Sequence, residues 1–194
     1  MKEAKSRYYV RNMVFTALFA ALICVAAPFS IQVGPIPISL ATFAIYLTGA
    51  ILGGKRGMVA TIVYIMLGAV GLPVFSGFRG GFGVLFGMSG GYIIGYIPLV
   101  LITGIFAEMN SKMIYRAILT VIGMILATAA LYTFGTIWYM IVSGSDLVTA
   151  LTACALPFIP GDAIKIACVT ALSVPLRVKL NSAMFGSKQN IDRD

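Results

Sequence analysis

Ile114-Tyr-Arg-Ala-Ile-Leu-Thr-Val-Ile-Gly-Met-Ile-Leu-Ala-Thr-Ala-Ala-Leu-Tyr-Thr-Phe-Gly-Thr-Ile-Trp-Tyr-Met-Ile-Val142 carries a single charged side chain, Arg116. A helix on the surface of a water-soluble protein keeps one polar face. This run has none, and it is longer than the about 20 apolar residues that cross a hydrocarbon core, so it reads as a transmembrane helix. Working outward, similar runs lie at 12–31, 38–54, 58–72, 91–108 and 160–178, separated by Gly, Pro and charged residues. The pattern predicts an all-α integral membrane protein with six transmembrane helices, in which residues 1–194 form one membrane domain. Composition agrees: 60% of residues are hydrophobic and 10% charged, and the mean hydropathy is +0.99, so most of the surface is matched to lipid.

The first run also has the layout of a secretory signal peptide, with Lys2, Lys5, Arg7 and Arg11 ahead of the apolar stretch Val14 to Ala27. Cleavage after Ala27 would fall directly before Pro28, and the chain stays apolar far beyond it. A retained first span is the simpler reading.

Basic residues set the expected orientation, because cytoplasmic loops are rich in Lys and Arg. With the N-terminus inside, six helices place Lys2, Lys5, Arg7, Arg11, Lys55, Arg56, Lys112, Arg116, Arg177, Lys179, Lys188 and Arg193 on the cytoplasmic side. That leaves only Arg79, after the third span, and Lys165, inside the sixth. Both termini are therefore expected in the cytoplasm, with the protein in the cell membrane. The net charge of +8 follows from topology, and no nucleic-acid partner is implied.

Several chemistries are absent. There is no His, which excludes His-dependent hydrolases and His-ligated haem. Cys24, Cys154 and Cys168 have no metal-ligand spacing, so no metal site, cofactor or catalytic cluster is expected. Gly49, Gly54 and Lys55 match part of the phosphate-binding loop. However, Arg56 stands where Ser or Thr should hold magnesium, and the run ends an apolar helix where the motif needs a loop after a strand. If the chain transports anything at the expense of ATP, another chain hydrolyses it.

The polar features lie on the side opposite the basic loops. Between the third and fourth spans, Pro73 to Gly91 carries Gly77, Gly80, Gly81, Gly83, Gly87, Gly90 and Gly91, together with Arg79 and several aromatics. Glycine lets backbone approach a ligand closely, and irregular backbone at membrane depth survives only where it lines a cavity or is buried in protein. The segment reads either as a glycine-rich re-entrant lid or as a tight external loop. In the sixth span, Pro157-Phe-Ile-Pro-Gly-Asp162-Ala-Ile-Lys165 opens a helix with Asp162 and Lys165 on one face. Intramembrane charges are functional candidates by default. An ion pair that neutralises itself is the bland alternative. Against it, one Asp cannot balance both Lys165 and Arg79, so the pocket is expected to suit a small amphipathic acid. In the first span, Ala17 and Ala21 form a small-xxx-small spacing that permits close helix approach; alone it reads as internal packing.

Taken in order, the run Gly34-Pro-Ile-Pro-Ile-Ser-Leu-Ala-Thr42 to Gly53-Gly-Lys-Arg-Gly57, then Leu67-Gly-Ala-Val-Gly-Leu-Pro-Val-Phe75, the glycine segment, Gly90-Gly-Tyr92 and Pro157-x-x-Pro-Gly-Asp162-x-x-Lys165 resemble the BioY family. These are the biotin-specific substrate-binding (S) components of energy-coupling factor (ECF) transporters. The resemblance covers nearly the whole chain. It implies a six-helix bundle that captures biotin outside and passes it inward with the transmembrane coupling protein EcfT and two cytoplasmic ABC-type ATPases. It implies a substrate site at Asp162 and Lys165 with Gly80, Gly81, Gly83 and Tyr92, to which the charge balance adds Arg79, and docking of the coupling protein at Ala17 and Ala21. The chain departs from many members in carrying Ala41 in place of a Gln, and Met88-Ser89 in place of Pro-Thr.

Overall fold

The structure is a computed structural model that describes residues 2–32, 35–109 and 113–191, with backbone alone at 2–5, 7–8, 113 and 178–191. Lys112 and Arg193 therefore lie outside the described residues, as do the side chains of Lys2, Lys5, Arg7, Lys179 and Lys188.

The chain is mostly helical: α1 (Lys2–Ala26), β1 (Ser30–Gln32), β2 (Pro37–Ser39), α2 (Ala41–Leu52), α3 (Gly54–Val70), α4 (Phe82–Phe86), α5 (Gly90–Glu108), α6 (Met113–Ser143), α7 (Leu147–Cys154) and α8 (Ile159–Ile191). Among the described residues, four stretches are long and apolar enough to cross a membrane: Tyr9–Ala26, Gly90–Glu108, Ile114–Ser143 and Ile159–Arg177. The helix α2 has 12 residues and α3 has 17, about 18 and 26 Å at 1.5 Å per residue.

Burial follows sequence pattern. The helix α2 is apolar on every side, and all its residues except Phe43 and Leu47 are buried, as expected of a central helix. It packs on α3, α5 and α8, while α5 packs on α3 and α6. Large apolar side chains such as Val14, Leu18, Val25, Ile137 and Ile164 face outward from α1, α6 and α8; on a water-soluble protein so much exposed apolar surface would be an aggregation hazard. Close contact between α3 and α5 needs glycine: a Cβ on Gly104 would stand 2.1 Å from the Gly54 nitrogen. Gly53, at φ 84°, joins α2 directly to α3, and Gly71, in the left-handed region at φ 113°, ends α3.

The structure corrects the expected boundaries at two places. The first span was expected to run to residue 31, but α1 stops at Ala26 and the chain turns into an antiparallel hairpin pairing Ser30 with Ser39, Ile31 with Ile38 and Gln32 with Pro37. The all-α expectation fails to this extent. The sixth span was expected to end near 178, yet α8 continues to Ile191, through Lys, Asn, Ser and Ala residues that are polar or small but compatible with a helix. Two short helices, α4 and α7, join the longer ones. Asp146 caps α7 by accepting a hydrogen bond from the Thr149 N–H at 3.4 Å, and hydrogen bonding to Thr149 holds its carboxylate below the ordinary value.

Candidate functional site

The structure brings the two charges of α8 into one polar cluster. Asp162 lies in the first turn of α8, where a carboxylate is favoured by the helix dipole, and is only 3% exposed. Lys165 Nζ is 3.0 Å from Asp162 Oδ1, consistent with the i,i+3 spacing. The ammonium also donates to the Ser39 carbonyl at 3.0 Å and to Thr42 Oγ1 at 2.8 Å, so all three of its protons are engaged. The other carboxylate oxygen, Oδ2, accepts from the Tyr132 hydroxyl at 2.7 Å.

Elements distant in sequence hold this cluster. The hairpin presents the Ser39 carbonyl, and Ser39 Oγ accepts from the Ala41 N–H at 3.1 Å at the start of α2. The first turn of α2 supplies Thr42, and α6 supplies Tyr132. The buried charges are thus paired and hydrogen-bonded, the condition under which ions persist in a low-dielectric interior.

The cluster borders a cavity of about 30 Å³, whose walls include Arg79, Tyr92, Tyr96, Tyr132, Phe75 and Phe158. The Tyr92 and Phe158 rings stack, with centroids 6.1 Å apart and planes at 20°, and the Tyr92 hydroxyl donates to the Cys154 carbonyl at 2.6 Å. The Phe75 and Arg79 backbones form a bridge, and both residues line the cavity. Arg79 is exposed, and its Nε donates to the Ser76 carbonyl at 3.2 Å.

Four residues expected from sequence, Arg79, Tyr92, Asp162 and Lys165, border this one cavity. Gly80, Gly81 and Gly83 do not line it, although their neighbours Ser76, Val84 and Ser89 do. The three glycines differ in their surroundings. A Cβ on Gly80 would meet the Leu72 carbonyl oxygen at 2.3 Å, Gly81 has φ 94°, and a Cβ on Gly83 would meet nothing within 4 Å. Gly80→Ala is accordingly expected to displace the segment from α3 and lower the thermal midpoint by several degrees, whereas Gly83→Ala should leave it within experimental error. Melting curves of the two purified variants decide this; equal midpoints would contradict it.

Sequence reading missed Tyr132, Tyr96, Ser39 and Thr42. The available signal was hydroxyls inside apolar runs, since a buried Tyr usually finds a polar partner. Tyr92 and Tyr96, four apart on α5, share a face. Ala41 is buried at the start of α2, and the polar contact there comes from its neighbours Ser39 and Thr42.

Ala17 and Ala21 lie far from this cluster in the sequence. Both are exposed on α1, among Met13, Val14, Leu18, Leu22 and Val25. Internal packing, the reading their spacing alone suggested, therefore does not hold within this chain.

Comparison with known proteins is consistent across sequence and structure. The model of the BioY family matches residues 1–182. A protein of Thermotoga maritima described as the biotin transporter BioY is 35% identical over 170 residues, covering 88% of this chain and 96% of its own length. The corresponding protein of Rhizobium etli is 34% identical over 170 residues, covering 84% and 90%. A crystal structure of the S-component for biotin from an ECF-type ABC transporter superposes with a TM-score of 0.75 at 28% identity, covering 87% of this chain and 92% of that one. With the family pattern matched from the first helix through α8 and the same fold around it, this chain belongs to the BioY family.

Proposed function

We propose that this chain is the biotin-binding S subunit of an ECF-type vitamin transporter, and that the cavity beside Asp162 and Lys165 is where biotin binds. The observation that carries the reading is the joint placement of a buried carboxylate, a second cation and stacked aromatics around one cavity. Biotin is a small amphipathic acid with a ureido ring at one end and a carboxylate at the other. Asp162 can accept from the ureido N–H groups by charge-assisted bonds, and the aromatic walls suit the bicyclic body.

The carboxylate is assigned to Arg79. Lys165 spends its three donors on Ser39, Thr42 and Asp162, whereas Arg79 engages its Nε with Ser76 and is exposed to incoming ligand. The test compares biotin with its uncharged methyl ester. Arg79→Gln is expected to weaken biotin by about ten- to 150-fold, the loss of one hydrogen bond to a charged group, and to leave the ester nearly unchanged. Equal loss for both ligands would remove Arg79 from that role.

A volume of about 30 Å³ admits one or two waters, far less than biotin. The segment from Ser76 to Ser89, including Gly80, Gly81 and Gly83, therefore acts as a re-entrant lid that moves aside when ligand enters. Counting α2 and α3 with the four longer helices gives six spans, both termini cytoplasmic, and Arg79 and Asp146 outside, which is the arrangement the basic residues favour. In a cysteine-free background, a cysteine at position 146 should react with an impermeant thiol reagent in intact cells, and one at position 188 only after permeabilisation. The reverse pattern would invert the topology.

Transport requires energy from partners: the coupling protein EcfT and a pair of ABC-type ATPases. The exposed Ala17 and Ala21 on α1 offer the coupling protein a surface smooth enough for close helix contact.

A further inference from the structure

The lid is not uniform along its length. Its first part is tied down: the Gly77 N–H donates to the Pro28 carbonyl at 2.9 Å, the Phe75 and Arg79 backbones pair, and the Gly81 N–H donates to the Gly68 carbonyl of α3 at 2.7 Å. Its last part is tied down by the sole Trp of the chain. Trp138 of α6 donates from Nε1 to the Gly87 carbonyl at 2.9 Å. Gly90 and Gly91 then bring the start of α5 close against this side chain, since a Cβ on Gly91 would run into Trp138 Cβ and one on Gly90 would stand 3.1 Å from Nε1.

Between the two ties lies α4, which has no buried residue. Among the described residues, no hydrogen bond joins it to another helix or to the hairpin. Its outward links are to its own flanks, from the Val84 N–H to the Gly81 carbonyl at 3.1 Å and from the Gly87 N–H to the Val84 carbonyl at 3.3 Å. Phe82 and Phe86 are exposed, and Val84 is the one α4 residue that lines the cavity. A segment with few buried contacts and only local hydrogen bonds opens at low cost. Gly81, at φ 94° and with nothing within 4 Å of the place a Cβ would take, can absorb a backbone change at one end. Trp138 does not line the cavity, so it acts on a ligand through the residues that it holds.

We infer that Trp138 is the positioning residue of the lid: it fixes the chain at Gly87, so that α4 alone swings outward about Gly81 and withdraws Val84 from the cavity wall while Arg79 and Tyr92 stay in place. This rests on the lid reading and narrows the moving part from Ser76–Ser89 to Phe82–Phe86. Ligand entry then breaks only the contacts of two half-buried side chains, Val84 and Leu85, with the core, and the groups assigned to recognition remain preformed on both sides of the flap.

Distances between paired spin labels in the cysteine-free full chain test this, with and without biotin. One label stands at position 114, at the inner end of α6, or at position 18 on α1, so that displacements along and across the bundle are both read. The other stands at position 86 on α4 or at position 88 beside the pivot. All four positions are exposed, and none lines the cavity. Biotin should shift the distances to position 86 by several ångströms and leave those to position 88 unchanged. Trp138→Phe keeps an aromatic ring and removes the Nε1–H donor. It should make position 88 shift together with position 86 and let biotin dissociate several-fold faster, without slower association. If positions 86 and 88 shift together while Trp138 is intact, the lid reading stands and the pivot is overturned. If neither shifts when biotin binds, the pivot and the lid reading fail together. A motionless position 88 and an unchanged dissociation rate in Trp138→Phe would leave Trp138 a structural role only and overturn the inference.

Discussion

Asp162→Asn is expected to lower biotin affinity by about ten- to 150-fold, corresponding to roughly 1.5–3 kcal/mol for a hydrogen bond to a charged group, and to destabilise the fold as well. Asp162 faces Lys165 at 3.0 Å and Tyr132 at 2.7 Å, and removing one member of a buried pair leaves the other charge uncompensated, at a cost of about 3–5 kcal/mol. Stability and binding can be separated by a second change. Replacing both partners with apolar groups of similar size is often neutral for stability, so Asp162→Leu combined with Lys165→Met should recover most of the lost thermal stability while remaining unable to bind biotin. Calorimetric titration and melting curves on the single and double variants measure the two effects. A stable double variant that binds biotin normally would reduce the pair to a structural ion pair.

The second large effect is expected at the opposite end of the transport cycle. Ala21 is exposed on α1 and does not border the cavity. Ala21→Trp would hold a partner helix away from this face, since close approach depends on small side chains. Biotin binding should remain near normal, while co-purification with the coupling protein and ATP-driven uptake fall to background. Normal assembly and uptake in this variant would place the docking surface elsewhere.

Legibility in the sequence depended on how rare a residue is in its surroundings. Asp162 and Lys165 stood out because charge inside an apolar run is costly and therefore has a reason. Their joint position on one helix face followed from the i,i+3 spacing alone. The partners were hidden: Tyr132, Ser39 and Thr42 are ordinary hydroxyl residues, and only the folded chain shows that α6, the hairpin and α2 converge on α8. Long apolar helices are readable because an unbroken apolar run of this length satisfies its own backbone hydrogen bonds in lipid only as a helix. The hairpin at 30–39 is not readable, since strands of three residues are too short for alternation to register and Gly34, Pro35 and Pro37 read only as a break between two spans. The glycine segment is conspicuous in the sequence, but composition does not separate Gly80, where a Cβ would run into the Leu72 carbonyl, from Gly83, where a Cβ would meet nothing within 4 Å. Within α1, spacing marked Ala17 and Ala21 but gave no direction; their exposure appears only when α1 is seen against the bundle.

Biotin recognition should need nothing beyond this chain, because the proposed pocket is built from its own residues. Equilibrium binding of labelled biotin to the purified full chain, without coupling protein or ATPases, tests it most directly, with unlabelled biotin, riboflavin and thiamine as competitors. Saturable binding of one biotin per chain, displaced by unlabelled biotin and not by the other two vitamins, is the expected result. Absence of saturable binding by a folded chain, or equal displacement by another vitamin, would contradict the claim.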